Sequence, residues 1–132
     1  MAGLELNGFD RFDEALKKMD MYDTVAPKLL NGSIGILENN LKKEVEKHKK
    51  TGQLHKSIRS KKAMKNKYGW YATAAPQGTD SNGVRNMEKL AYLEYGTSNQ
   101  PATPCIAPTV NRSLSAVEER MQQIFNESVG EL

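Results

Sequence analysis

Apolar residues recur at the spacing of an amphipathic helix in three stretches of the chain, and each stretch predicts a helix. In the first, over residues 9–19, one helical face carries Phe9, Phe12, Leu16 and Met19. Acidic residues come early in this stretch and lysines come late, an order that complements the helix dipole. We expect the N-terminal cap at Asn7 or Gly8.

The second stripe predicts the longest helix, about six turns at 3.6 residues per turn. Its apolar positions lie three or four residues apart and are Leu30, Ile34, Leu37, Leu41 and Val45. We expect Asp23 or Thr24 as the cap and Pro27 in the first turn. We expect the helix to stop at Thr51-Gly52, where glycine accepts a left-handed conformation.

The third stripe follows Pro108 and predicts the C-terminal helix. Its apolar residues are Val110, Leu114, Val117, Met121, Ile124 and Phe125. Ser113 is expected on the outward face of this helix, and Gly130 at its end.

The middle of the chain lacks a helical stripe and predicts a small sheet. Residues 63–75 read as a strand centred on aromatic and threonine positions. Residues 76–86 are rich in turn formers and predict a mobile loop or hairpin arm. Residues 87–95 predict a second strand, or a short helical turn leading into one. Residues 53–60 fit either a further helical turn or the start of a strand.

The order of these elements predicts an α+β fold with two N-terminal helices, a small antiparallel sheet and a C-terminal helix packed on the sheet. We expect a single domain over residues 1–132, with a helical part at 1–52. A sheet with its mobile loop would occupy residues 63–97, and the proline loop and last helix residues 98–130.

Composition predicts a small core, since the hydrophobic content is 38% and the aromatic content 7%, with a mean hydropathy of −0.66. A small core favours stabilisation by partners. No apolar run approaches the roughly 20 residues of a membrane span, and residues 1–10 lack the features of a secretion signal. We therefore expect a cytoplasmic chain without membrane contact.

Catalytic and metal chemistry find little support in the sequence. Cys105 is the only cysteine, which excludes an internal disulfide framework, and a nucleophilic role for it has no local support. Glu94 would need a second acid for catalysis, with Glu88 and Asp80 as the available neighbours. Residues 79–83 have the oxygen-rich look of a calcium loop but lack its remaining ligands, so we interpret them as a turn. We expect no catalytic residue, cofactor or metal.

The charge is distributed unevenly. Residues 42–67 hold eleven Lys or Arg and two Glu, a net of +9, whereas the rest of the chain carries a net of −6. The basic residues of this patch are Lys42, Lys43, Lys47, Lys49, Lys50, Lys56, Arg59, Lys61, Lys62, Lys65 and Lys67. Three interpretations stay open: a small basic DNA-binding protein, docking on an acidic face of another protein or copy, and a solvated surface.

Residues 92–108, Y-L-E-Y-G-T-S-N-Q-P-A-T-P-C-I-A-P, connect the predicted sheet to the last helix. A strand end leads into Gly96, where positive φ is cheap. The loop that follows is stiffened by Pro101, Pro104 and Pro108. We expect Glu94 to accept hydrogen bonds from the amides of the Gly96-Thr97 turn, or to pair with an arginine of a neighbouring subunit.

Two segments, K-K-T-G-Q-L-H-K-S-I at residues 49–58 and L-E-Y-G-T-S-N-Q-P-A-T-P-C-I-A-P-T-V at residues 93–110, together resemble the head–tail joining and tail-component proteins of tailed bacteriophages and prophages. The positions that match are Thr51, Gly52, Leu54, Ser57, Ile58, Glu94, Tyr95, Gly96, Thr97, Pro101, Pro104, Ile106 and Pro108. Cys105 stands where an aromatic residue is usual in that family, and Ala107 where a basic residue is common. Either the pocket is smaller here or a neighbour fills it.

The resemblance implies a non-enzymatic virion protein of the neck or upper tail, assembled in the host bacterial cytoplasm. Its partners would be other copies of itself in a ring, a hexamer or a multiple of it, and neighbouring neck or tail proteins, with DNA possible in the channel. The subunit-contact candidates are Glu94, Tyr95, Gly96, Thr97, Pro101, Pro104, Cys105, Ile106 and Pro108.

Overall fold

The computed structural model describes residues 3–48 and 53–130, and within them five helices accompany a four-stranded antiparallel sheet. In chain order the elements are β1 (Leu4–Asn7), α1 (Asp10–Lys18), α2 (Tyr22–Glu46), α3 (Gln53–Ser57), β2 (Ile58–Ser60), β3 (Met64–Asn66), β4 (Gly69–Pro76), α4 (Asn86–Tyr95) and α5 (Ile106–Gly130). The predicted α+β class is confirmed. No helix in the described ranges is long and apolar enough to cross a membrane.

Helix α2 is the central element, because it contacts both the sheet and α5. All five apolar residues of its predicted stripe are buried. The same hydrophobic cluster includes Leu4 of β1, Leu16 of α1 and Leu90 of α4. The C-terminal helix, expected on the sheet, packs instead on α2, since α2 already covers the inner sheet face.

The first strand, β1, pairs antiparallel with β4 and was not predicted. The helix predicted over residues 9–19 is confirmed as α1, but its cap is Phe9. Asn7, one of the two expected caps, still belongs to the strand, and Gly8 lies between strand and cap. The part of the chain taken as purely helical therefore also supplies an edge of the sheet.

Helix α2 begins at Tyr22, before both of its expected caps. Asp23 does not cap the helix, because its carboxylate faces the sheet. Its Oδ1 accepts hydrogen bonds from Lys65 Nζ at 2.7 Å and Trp70 Nε1 at 2.9 Å. Pro27 consequently falls in the second turn rather than the first.

The end of α2 lies at Glu46, and the stop predicted at Thr51-Gly52 lies outside the described residues. Both interpretations of residues 53–60 are realised, because α3 passes directly into β2. The strand predicted over residues 63–75 is divided into β3, a turn and β4.

Strand β4 is the middle of the sheet and has both of its edges occupied. Ala74 pairs with β1 on one side and with Ser60 on the other, and Tyr71 pairs with β1 and with Met64. Strands β2 and β3 therefore share one edge. Ser60 and Met64 are four residues apart, but their partners on β4, Ala74 and Tyr71, are only three apart. The extra residue forms a bulge between β2 and β3.

Polar side chains of α2 cover the edge formed by β2 and β3. Glu38 Oε1 accepts the N–H of Ser60 at 2.9 Å, and Asn31 Oδ1 accepts the N–H of Ala63 at 2.7 Å. These bonds satisfy donors that an uncovered edge would offer to another chain.

The second strand predicted over residues 87–95 is wrong, since this segment forms helix α4. With both edges of β4 taken, no position in the sheet remains for another strand beside it. Tyr92 and Tyr95, which favour strands by propensity, lie exposed on the helix, while Leu90 is buried. The predicted sheet region, residues 63–97, therefore ends in a helix.

Helix α5 begins at Ile106, so Pro108 lies in its first turn, where a missing donor does no harm. Four positions of the predicted stripe are confirmed, since Val117, Met121 and Ile124 are buried and Phe125 is partly buried. The first two positions are wrong, because Val110 and Leu114 are 40% and 52% exposed. The buried residues of α5 are Thr109, Ser113, Val117, Met121 and Ile124. The outward position expected for Ser113 is therefore wrong.

Candidate functional site

The loop between α4 and α5 starts at Gly96, whose conformation only glycine adopts readily. Its φ is 78° and its ψ 176°, in the region that is essentially closed to other residues. A Cβ here would lie 2.9 Å from the nitrogen of Ala102 and 3.0 Å from the carbonyl oxygen of Gln100. The turn expected at Gly96 is thus confirmed. It requires glycine for two independent reasons, the backbone conformation and the close approach of residues 100 and 102.

Backbone hydrogen bonds fold this loop onto the end of α4. The N–H of Thr97 donates to the carbonyl of Gln100 at 2.8 Å, and the N–H of Gln100 donates back at 3.3 Å. The N–H of Thr103 donates to the carbonyl of Leu93 at 2.7 Å. The path expected to be fixed by prolines is therefore fixed by hydrogen bonds as well.

Glu94 joins the loop to the start of α5. Its Oε1 accepts the N–H of Cys105 at 2.8 Å and the N–H of Ile106 at 2.7 Å. A carboxylate at a helix N-terminus satisfies free amide donors and complements the helix dipole. Glu94 is a structural acid, as expected, but its donors are the first residue of α5 and the residue before it, and not the Gly96-Thr97 turn.

Cys105 is fully buried next to this carboxylate. Burial, together with the smaller effect of the negative charges of Glu94 and Glu44, raises the pKa of its thiol to about 11. A thiol with such a pKa stays protonated at neutral pH and is a poor nucleophile. Cys105 fills a small site inside its own chain, whereas Ala107 is exposed.

A buried polar group between α2 and α5 lies under the loop, and the sequence patterns missed it. Glu44 Oε1 accepts from Arg112 Nη2 at 2.6 Å and from Lys47 Nζ at 3.1 Å. Asn40 Nδ2 donates to Ser113 Oγ at 2.8 Å. The sequence does indicate that Glu44 is buried, because it follows Leu41 of the apolar stripe by three residues and so lies on the same face of α2.

The nine subunit-contact candidates separate into supporting and exposed residues. Glu94, Gly96 and Cys105 act inside the chain, as described above, while Ile106 and Pro108 are half-buried in the first turn of α5. Cys105 is too deeply buried to touch another subunit. The exposed candidates are Tyr95, Thr97, Pro101 and Pro104. Tyr95 is the largest of these, with 70% of its surface exposed.

The basic patch of residues 42–67 is divided by its ion pairs. On α2, Lys42 pairs with Glu38 at 3.8 Å, and just after the helix Lys47 pairs with Glu44. Lys65 pairs with Asp23 at 2.7 Å, and hydrogen bonds from Lys65 and Trp70 lower the pKa of that aspartate.

Other members of the patch keep their charge exposed. Within the described residues, those that are exposed and have no carboxylate partner are Lys43, Lys56, Arg59, Lys61, Lys62 and Lys67. Lys49 and Lys50 lie outside the described residues.

The β3–β4 hairpin, residues 64–76, carries an aromatic side chain at its turn. Tyr68 is 85% exposed, and Lys67 Nζ lies 5.1 Å from the centre of its ring. Gly69 follows with a φ of 124°, and a Cβ there would collide with the hydroxyl of Tyr22. That hydroxyl accepts the N–H of Trp70 at 3.0 Å, so the turn is supported from below.

The oxygen-rich segment at residues 79–83 is a turn, as expected. Asp80 Oδ1 accepts the N–H groups of Asn82 and Val84 at 2.8 and 2.9 Å. Lys89 pairs with the same carboxylate and, as its principal hydrogen-bond donor, lowers the pKa of Asp80. Thr79 bridges to Arg85 across this turn, which gives the predicted loop the form of a short hairpin arm.

Protein-family models, curated protein sequences and solved structures gave no match to this chain. Its function is therefore inferred from its own residues and motifs. In the described part of the chain, no three metal-binding side chains come together. Glu94 caps the start of α5, Asp80 holds a turn, and the thiol of Cys105 is protonated. What the arrangement offers is two exposed surfaces, one at the 96–105 loop and one at the β3–β4 hairpin.

Proposed function

We propose that this chain is a structural virion protein of a tailed phage or prophage, which assembles as a ring at the neck or upper tail. The observation that carries the proposal is the construction of the 96–105 loop. Glu94 and the backbone bonds hold this loop from within, while Tyr95 and two prolines face solvent. This arrangement supports the contact role that the motif resemblance implies.

A loop that is already ordered loses little conformational freedom when a partner binds. Its exposed groups also suit a protein contact, since aromatic side chains are enriched among the residues that dominate interface energies. Tyr95 would be such a residue, and Pro101 and Pro104 would add rigid apolar surface beside it.

The charge distribution supports head-to-tail contacts between copies. The basic residues concentrate in one part of the chain, and the remainder is acidic. A heterologous contact that closes a ring joins two different surfaces of the same subunit, so opposite charges on them would favour the correct pairing.

Complementation in the phage or prophage that encodes the chain tests the proposal. A deletion is complemented with the wild type, with Tyr95→Arg, or with Val84→Arg, which places the same charge at an exposed apolar position outside the loop. We expect Tyr95→Arg to lower the yield of joined particles at least about tenfold, the scale of a lost interface anchor, and Val84→Arg to leave it near wild type.

Thermal unfolding of both purified variants controls for folding. Joined particles at normal yield without the gene would refute the virion role. Normal yield with Tyr95→Arg would refute the contact role of the loop while leaving the virion role standing.

A further inference from the structure

We propose that the segment from Lys56 to Tyr71, which runs from the end of α3 through β2 and β3 to the start of β4, binds the phosphate backbone of single-stranded nucleic acid, with Tyr68 stacking on a base. This surface is separate from the 96–105 loop, and its assignment does not depend on the proposed virion role. Three features of the segment favour this ligand: its charge, the exposure of one aromatic ring and the support beneath that ring.

The segment is cationic throughout. Between residues 56 and 71 there are six Lys or Arg and no Asp or Glu. Among the described residues, its ion pair is the one between Lys65 and Asp23. The lysines left without a carboxylate are Lys56, Lys61, Lys62 and Lys67. Their charge is therefore available to an anionic partner.

The spacing of these lysines suits a polyanion. The N–H of Lys61 donates to the carbonyl of Thr73, and Asn66 pairs with Gly69. From Lys61 to the turn that holds Lys67 the chain therefore follows four residues of β4, about 13 Å at 3.3 Å per residue. A nucleic-acid strand presents several phosphates over that length, and each neutralised phosphate releases a condensed counterion. A small anion would engage only one or two of these lysines.

Tyr68 distinguishes nucleic acid from an acidic protein surface. Its ring is 85% exposed at the turn, with Lys67 Nζ 5.1 Å from the ring centre. An acidic protein face needs no exposed ring, whereas single-strand binding combines cations along the backbone with aromatic side chains on which bases stack. Met64 adds exposed apolar surface on β3.

The turn is held in place from below, so this surface is formed before a ligand arrives. Tyr22 accepts the N–H of Trp70 at 3.0 Å. Asp23 accepts from the indole of Trp70 at 2.9 Å and from Lys65 at 2.7 Å. A preformed platform reduces the ordering cost of binding.

Fluorescence anisotropy of a labelled oligonucleotide tests the proposal. The full-length protein is titrated into a single strand of mixed sequence and into the matching duplex, at low and at moderate salt. The test variant carries Lys61→Glu, Lys62→Glu and Lys67→Glu. A control with the same net charge carries Lys18→Glu, Lys28→Glu and Arg120→Glu, all exposed positions outside the segment.

We expect the test variant to bind the single strand at least about tenfold more weakly and to show a shallower salt dependence, as three lost phosphate contacts require. The control should stay within about threefold of the wild type, because general charge alone acts weakly at moderate salt. Tyr68→Ala should weaken single-strand binding about five- to a hundredfold, the range of one lost base stack. Tyr68→Phe should keep the affinity.

Poly-glutamate, added as a competitor, represents an acidic protein. The proposal is overturned if poly-glutamate binds as tightly as the oligonucleotide and Tyr68→Ala changes neither affinity. It is also overturned if the wild type binds no oligonucleotide at low salt, or if control and test variants weaken equally. Should the charge-reversed variant fail to fold, Tyr68→Ala against Tyr68→Phe decides, because this exposed ring can be removed without loss of core packing.

Discussion

A tyrosine followed by a glycine occurs at two turns of this molecule, and the two pairs differ in what lies under the glycine. Tyr68-Gly69 and Tyr95-Gly96 both expose the ring, at 85% and 70%, and both glycines have positive φ. A Cβ added at Gly96 would meet the backbone of Ala102, whereas a Cβ added at Gly69 would meet the hydroxyl of Tyr22.

This difference determines how each exposed surface is held in place. A backbone atom cannot move away without breaking the hydrogen bonds of its own loop, but the end of a side chain can rotate or be removed. Substitution of Gly96 should therefore disturb the whole 96–105 loop. Substitution of Gly69 should be tolerated better when the Tyr22 hydroxyl is removed at the same time.

The largest effect is expected for Gly96→Ala. The methyl group meets the Ala102 nitrogen at 2.9 Å and requires a backbone conformation that alanine avoids. We expect the free energy of unfolding to fall by about 2–4 kcal/mol, from strain of about 1–3 kcal/mol and the added clash. Urea denaturation followed by circular dichroism measures it. A Gly78→Ala variant controls for positive φ without a close neighbour.

A loss at Gly96 no larger than the loss at Gly78 would contradict the role of the Ala102 backbone. Gly96→Val should be worse than Gly96→Ala, because a branched side chain resists this conformation more strongly.

Glu94 gives the next effect, since it supports the same loop by hydrogen bonds. Glu94→Ala leaves the amides of Cys105 and Ile106 without their acceptor, and we expect a loss of about 1–3 kcal/mol. Glu94→Gln keeps an acceptor oxygen but loses the charge at the helix N-terminus, which should cost about 0.3–1 kcal/mol. Urea denaturation again measures both, and equal losses for the two variants would show that charge alone matters.

Features that depend on neighbouring residues were predictable from the sequence. The stripe of α2, the Phe12 and Leu16 positions of α1 and the turn at Gly96 follow from spacing and from local backbone preference, and the structure confirms them. Met19, the last position of the α1 stripe, is 39% exposed. Strand β1 was missed because four residues carry too short an alternation to stand out. Helix α4 was missed because the rings of Tyr92 and Tyr95 suggest a strand, and only the structure shows that both edges of β4 are occupied by other strands.

The two exposed surfaces depend more than the helices do on contacts between residues that are distant in sequence. The bond between Asn40 and Ser113 places polar residues of α5 against α2, which leaves Leu114 exposed, and apolar spacing alone cannot show this. The pairing of Lys65 with Asp23 likewise joins segments far apart in sequence, so the neutralised part of the basic patch could not be separated from the exposed part. The carboxylate of Glu94 was expected to bind amides, but which amides depends on the path of the loop.

The smallest effect on the free energy of unfolding is expected at Gly69, where the difference between the two glycines can be tested directly. Gly69→Ala should lower the free energy of unfolding by about 1–2 kcal/mol, because alanine is strained at this φ and its methyl group meets the Tyr22 hydroxyl. Tyr22→Phe removes the hydroxyl, and with it the bond to the Trp70 N–H, at a cost of about 0.5–1.5 kcal/mol.

In the Tyr22→Phe background the collision is absent, so Gly69→Ala should cost less than it does in the wild type, by about 0.5 kcal/mol or more. Gly96→Ala in that background should cost as much as before, because its obstacle is the backbone of Ala102 and not a hydroxyl. Equal costs of Gly69→Ala in the two backgrounds would show that φ alone restricts Gly69. The two turns would then differ only in the exposed residues around them.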